Sequence, residues 1–141
     1  VGVVPELTTT DAHAPEPAAA AMARMLELAD PPTAVFCANN RATAGALEAI
    51  LARGADIEVI GFDDFELSRL LPRAIRIVDY DSAGLGVLAA DILLERLAGS
   101  DRPPAEHNLP TWLVDRGGAG DRGVTLGRAS APRGSGDRAP G

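Results

Sequence analysis

The sequence predicts an α/β fold, a layered and mostly parallel sheet with flanking helices. Three observations predict it. Short apolar runs alternate with segments of helical periodicity along the first 116 residues. Only 4% of the residues are aromatic within a hydrophobic share of 46%, so the core must be built from Ala, Val, Leu and Ile, as in helix-covered parallel sheets. Chain breakers such as Pro31-Pro32, Gly54, Pro72 and Gly99 fall between the periodic segments.

Taken in order, Val1–Leu7 reads as a short buried strand and Thr8–His13 as a polar loop. Pro15 and Pro17 suit the first turn of a helix, where no amide donor is needed. That helix is expected to run to about Ala29, with Ala18, Met22, Met25, Leu26 and Ala29 on one face. Ala34–Ala38 is a continuous apolar strand. Asn40 is placed to cap a helix from Arg41 to Arg53 whose buried stripe is Leu47, Ile50 and Leu51, with Gly54 as its left-handed stop. Glu58–Phe62 follows as a strand buried on both faces, and a helical turn around Glu66–Leu71 ends at Pro72. Ile75–Val78 is a further strand. Ser82 is placed to cap a helix to Ala98 with Leu85, Leu88, Ala89, Ile92 and Leu93 inward, and Leu109–Asp115 is the final strand. Residues 117–141 are dominated by Gly, Arg, Ser, Ala and Pro, which cannot bury enough surface to offset chain entropy, so a disordered tail is expected there.

Composition excludes several classes of function. The net charge is −7 and all 13 basic residues are Arg, so the segment should repel phosphate backbones rather than bind them. One cysteine, Cys37, allows no internal disulfide, and its apolar neighbours mark it as a small buried hydrophobe. No metal-ligand spacing, P-loop or nucleophile elbow occurs, so no cofactor, metal or catalytic residue is expected and the chain reads as a non-enzyme. Gly84–Ala89 fits G-x-G-x-x-A, but Asp79–Ala83 separate it from its strand, and two of these are acidic. His13 and His107 fall in expected loops, and Arg41 at an exposed helix start. A phospho-acceptor domain would need a Lys beside its phosphoryl group, and the chain has none. No apolar run approaches a membrane span and no leader is visible, which gives a cytoplasmic location as the expectation.

In such sheets, ligands bind beyond the carboxyl ends of the strands. Three strand ends carry polar side chains: Asn39-Asn40, Asp63-Asp64 and Asp79-Tyr80-Asp81. An amide offers donor and acceptor, a carboxylate accepts from two hydroxyls, and a ring covers an apolar sugar face. Asn39, Asp63 and Tyr80 therefore suit a small polar ligand such as a polyol. Asn40 is read as a cap and Asp64 as a turn residue.

These segments also carry a resemblance. Pro32–Asn40 with Gly45-Ala46-Leu47, Val59–Asp64, Ile75–Asp81 with Leu85-Gly86 and Ala89–Leu97, and Leu109–Gly117 resemble, in order and spacing, the closing segments of LacI-family transcriptional regulators. The resemblance covers about residues 32–118. It implies a periplasmic-binding-protein-like domain of two subdomains with an effector, a sugar or related metabolite, in the cleft between them. Residues 1–116 would be the C-terminal portion of that domain, with about 1–74 in the C-terminal subdomain and about 75–116 returning to the N-terminal one. Asn39 and Asp63 match positions that hydrogen-bond the effector, and Tyr80 a cleft position. Phe65–Leu71 and the start of the helix at Arg41 match the homodimer surface. Operator DNA would be bound only by a helix-turn-helix head that these residues do not contain. Asn40 stands where Asp is commoner in the family, which removes a charge. A sugar-binding protein of an ABC-type transporter, sharing the fold, is the alternative.

Overall fold

The computed structural model describes residues 2–118. Its centre is a four-stranded sheet formed by β1 (Ala34–Cys37), β2 (Glu58–Phe62), β3 (Ile75–Tyr80) and β4 (Thr111–Arg116), in that spatial order. The β1–β2 and β2–β3 pairs are parallel, and β4 returns antiparallel to β3. This is the mostly parallel α/β sheet expected from the alternation of elements.

Three helices accompany it: α1 (Pro15–Leu26), α2 (Asn40–Arg53) and α3 (Ser82–Leu97). Pro15 opens α1, as its fixed φ and missing donor favour. The helix ends at Leu26, three residues short of the expected Ala29. A helix continued through Pro31 would drive the proline ring into the carbonyl four residues back. α1 and α2 pack on one another more extensively than any other pair, and α2 then lies on β1 and β2. Met22, Leu47, Ile50, Val59 and Ile77 are buried at the centre of this layer.

Local expectations are corrected at several points. Val1–Leu7 contains no strand among its described residues, because Pro5 cannot donate to a ladder and no strand lies beside it; Pro5–Leu7 is a single 3₁₀ turn. Leu51 is exposed, leaving Ala46, Leu47, Ala49 and Ile50 as the inward face of α2. β1 and β2 are covered on one face only: Phe36 is 59% exposed, while Val59 on the other face is buried. The α3 helix is the largest departure. None of its residues is buried, with Leu85, Ala89 and Leu93 exposed and Leu88 and Ile92 only half-buried, and it has no substantial packing on another element. Asp81, rather than Ser82, caps it, its carboxylate accepting from the Gly84 amide at 2.8 Å.

At the expected tail, Gly117 and Gly118 are placed rather than loose. Both have positive φ, and the Gly118 amide donates to the Leu71 carbonyl at 3.0 Å. The rest of the expected tail, 119–141, lies outside the described residues.

Candidate functional site

The adjacency of β1 and β2 brings their carboxyl ends together, with Cys37 beside Gly61 in the register. Beyond those ends, Asn39 takes the capping role expected of Asn40. Asn39 is the cap of α2: its Oδ1 accepts the Ala42 amide at 2.7 Å, and its carbonyl accepts both the amide (3.0 Å) and the hydroxyl (2.8 Å) of Thr43. Asn40 is instead the residue that reaches across the strand tips. Its Nδ2 donates to Asp63 Oδ2 at 2.8 Å. Position favoured Asn40 as the cap because it precedes the helix. The backbone decides otherwise, since Asn39 is extended and Asn40 is already helical.

Asp63 has φ of 72°, the one positive value at a non-glycine among the described residues. An L-residue in this region costs about 1–2 kcal/mol, less for Asp, whose short polar side chain bonds locally. Here the amide of Asp63 donates to the Val78 carbonyl at 2.9 Å, continuing the β2–β3 ladder by one bond while the chain turns away. The carboxylate is half-buried, and its hydrogen bond from Asn40 uses one of its acceptor sites.

Tyr80 belongs to β3 and not to a loop beyond it, because β3 runs two residues further than its apolar core suggests and pairs Tyr80 with Thr111. Its ring lies 5.7 Å from that of Phe62, tilted by 30°. That spacing makes a half-buried aromatic pair one residue before Asp63.

Asp64 takes the structural role expected of it. Its Oδ1 accepts the Phe65 amide (2.9 Å) and the Ser68 hydroxyl (2.6 Å), while Oδ2 accepts Nε (2.9 Å) and Nη2 (2.7 Å) of Arg116 from β4. Burial raises its pKa, but the bonds from Arg116, Ser68 and Phe65 and the Arg116 charge outweigh burial and hold the carboxyl below 3.8.

A cavity of about 610 Å³ runs along β1, whose other edge pairs with β2, and is lined by Leu7–Thr10, His13, Met22, Met25, Phe36, Cys37 and Asn39 among others. Asn39 is the single expected site residue on its wall; Asp63 and Tyr80 lie outside it. The structure therefore joins Asn40 to Asp63 and Phe62 to Tyr80, and puts Asn39 on the wall of a separate cavity. The threonines at 8–10 were legible only as a polar loop. Their signal was an apolar run followed by a polar one before a helix, the same order as Val35–Asn40. Cys37, on the same wall, is buried, and burial against a weaker opposing hydrogen bond from Thr43 pushes its thiol up to about 11.

A mostly parallel sheet with amide and carboxylate groups at adjacent strand tips defines an α/β domain with polar groups at its carboxyl edge. The model of the periplasmic binding protein-like domain family matches residues 3–118, and the chain belongs to that family. Over 82 residues it is 42% identical to the probable HTH-type transcriptional repressor ExuR of Bacillus subtilis, a match covering 55% of this chain and 25% of ExuR. Over 106 residues it is 38% identical to the HTH-type transcriptional repressor PurR of Mannheimia succiniciproducens, covering 72% of this chain and 32% of PurR. Among solved structures it is similar to a LacI family transcriptional regulator from Arthrobacter sp. FB24 in complex with lactose. There the TM-score is 0.55 and the identity 27%, over 67% of this chain and 36% of that one. The chain thus spans about a quarter to a third of the length of the repressors it matches. These two relatives carry the names of a probable and an assigned repressor, which supports the regulator reading over the transport-protein alternative.

Proposed function

We propose that this chain is the effector-sensing and dimerising segment of a LacI-type transcriptional repressor, cytoplasmic and without catalytic activity of its own. The observation that carries the reading is the Asn40–Asp63 pair, 2.8 Å apart beyond two adjacent parallel strands, with the aromatic pair Phe62–Tyr80 beside it. Asp63 keeps acceptor capacity for ligand hydroxyls, Tyr80 supplies a ring, and Asn39 with Thr8–Thr10 adds polar groups along the cavity wall. Such a set suits a sugar or related metabolite, and lactose in a similar regulator points the same way.

In this reading the passage to the second subdomain, expected over about 75–116, is narrowed to α3, which explains its exposed leucines, because β3 and β4 share one sheet with β1 and β2. Operator binding would come from a head outside these residues, since a net charge of −7 repels phosphate backbones. Effector binding would switch that head only through a difference in affinity between two subdomain arrangements. Homodimerisation through the segment at Leu67 and Leu70, which are 64% and 77% exposed, completes the proposal.

The test is Asp63→Ala in the complete regulator, with a sugar panel including lactose as probes. A lost hydrogen bond to a charged group is worth about 1.5–3 kcal/mol. Effector titration should therefore shift roughly tenfold to a hundredfold while operator affinity holds. An unchanged titration removes Asp63 from the site.

A further inference from the structure

Asp63 holds a left-handed backbone conformation, φ 72°, that aspartate tolerates better than most residues but that still costs free energy relative to an extended backbone. Two restraints act on the residue itself, the amide bond to Val78 and the side-chain bond from Asn40. Neither prevents the following residue from swinging the turn open. The restraint on that side comes from the far strand of the sheet. After Asp63 the chain passes over β4, where the Asp64 carboxylate is saturated by four hydrogen bonds, two of them from Arg116. The Arg116 side chain is 10% exposed and that of Asp64 22%, so the charges meet away from bulk water. The residues after Arg116 reinforce the clamp. The Gly118 amide binds the Leu71 carbonyl, and a Cβ on Gly117 would lie 2.4 Å from the Arg73 carbonyl oxygen, so the strand end is packed tightly onto the exit of the same segment.

We infer that Arg116 is a positioning residue for the effector site: acting through Asp64, it holds Asp63 in the left-handed turn that keeps its carboxylate against Asn40. The inference rests on the reading of Asp63 as an effector ligand given above. Breaking the pair by removing Arg116 leaves a part-buried carboxylate without its cation. Asp64 then has reason to move toward solvent, and the cheapest motion available is relaxation of Asp63 to an extended backbone, which carries its carboxylate away from Asn40. The depressed pKa of Asp64 accords with a carboxylate held charged by these partners.

Amide hydrogen exchange of the complete protein, without ligand, tests this. In Arg116→Met, exchange of the 62–65 segment should rise at least tenfold, about 1.4 kcal/mol of local opening. Arg116→Lys, which keeps the cation and loses the two-nitrogen contact, should fall between this and the parent. Should Arg116→Met fail to fold, Asp64→Asn keeps the shape and removes the charge, and it should open the same segment. Arg73→Met is the control. Arg73 staples the loop before β2 through the Ala55 and Ile57 carbonyls, so its loss loosens the domain without touching Asp63. Parent-like exchange in Arg116→Met, or in Asp64→Asn where that variant carries the test, overturns the inference. So does equal opening of 62–65 in Arg73→Met. The effector reading fails by a different result, an Asp63→Ala protein with unaltered effector response, so the two failures are told apart.

Discussion

Gly45 lies in α2 where the helix crosses the start of α1, and replacing it with alanine is the sharpest test of how these two helices meet. A Cβ built there falls 2.0 Å from the Pro15 carbonyl oxygen and 2.7 Å and 2.8 Å from its C and Cα. Carbon contacts settle at about 3.5–4.0 Å, so the backbones must part by more than about 1 Å. The obstacle is main chain, and at the first position of a helix opened by proline it has little freedom to yield. Overpacking of this kind costs about 1–3 kcal/mol, and a main-chain clash belongs at the upper end. Alanine recovers about 1 kcal/mol of helix propensity, which does not reverse the sign. The assay is urea denaturation of Gly45→Ala beside Gly86→Ala in α3, where an added Cβ meets nothing within 4 Å. Gly45→Ala should lose about 1–2 kcal/mol net while Gly86→Ala is neutral or gains up to about 1 kcal/mol. A Gly45→Ala protein as stable as the parent would refute the close approach of α1 and α2.

Two further outcomes follow from single side chains. Cys37 has its folded pKa raised from 9.0 to about 11, so the native state holds its proton where the unfolded chain has lost it. Stability from this thiol is complete below pH 9 and falls as pH rises toward 11, by about 2–3 kcal/mol in all; Cys37→Ala should flatten that slope in thermal unfolding read against pH. In the complete protein, Leu70→Glu should weaken self-association at least tenfold in sedimentation equilibrium, since burying one leucine is worth about 1.5–3 kcal/mol. An unaltered dimer would take the Leu67–Leu70 segment out of the interface.

The fold was legible because strand and helix periods survive without neighbours. Residues 58–62 read as a strand and 41–53 as a helix from their own side chains, and both formed within a residue of the reading. The site was legible in place but not in role. Asn39, Asn40 and Asp63 follow apolar strands directly, and that alone puts them at the sheet's carboxyl edge. Which asparagine caps and which reaches Asp63 depends on a single ψ value at residue 39, and two identical side chains in succession carry no pattern to decide it. The Arg116 contact to Asp64 spans 52 residues and depends on β4 returning antiparallel, which no local signal encodes.

The α3 helix shows the limit from the other side. Its apolar residues were assigned an inward face, yet Val87, Leu94 and Leu97 lie outside that face, and all of them are exposed together with Leu85 and Leu93. A helix apolar on most sides is built to be covered on most sides. At about 1.5–3 kcal/mol for each large apolar side chain, exposure of five is a burden no isolated helix of 16 residues carries comfortably. The sheet does not relieve it, because α3 has no substantial packing on any strand and β4 returns directly beside β3. The two-subdomain arrangement proposed above would remove the conflict: β3 would lead the chain out of this sheet, α3 would pack on the other half of the domain, and β4 brings the chain back so that Arg116 reaches Asp64. On that account the same excursion that leaves α3 bare also delivers the residue that holds the effector site in shape.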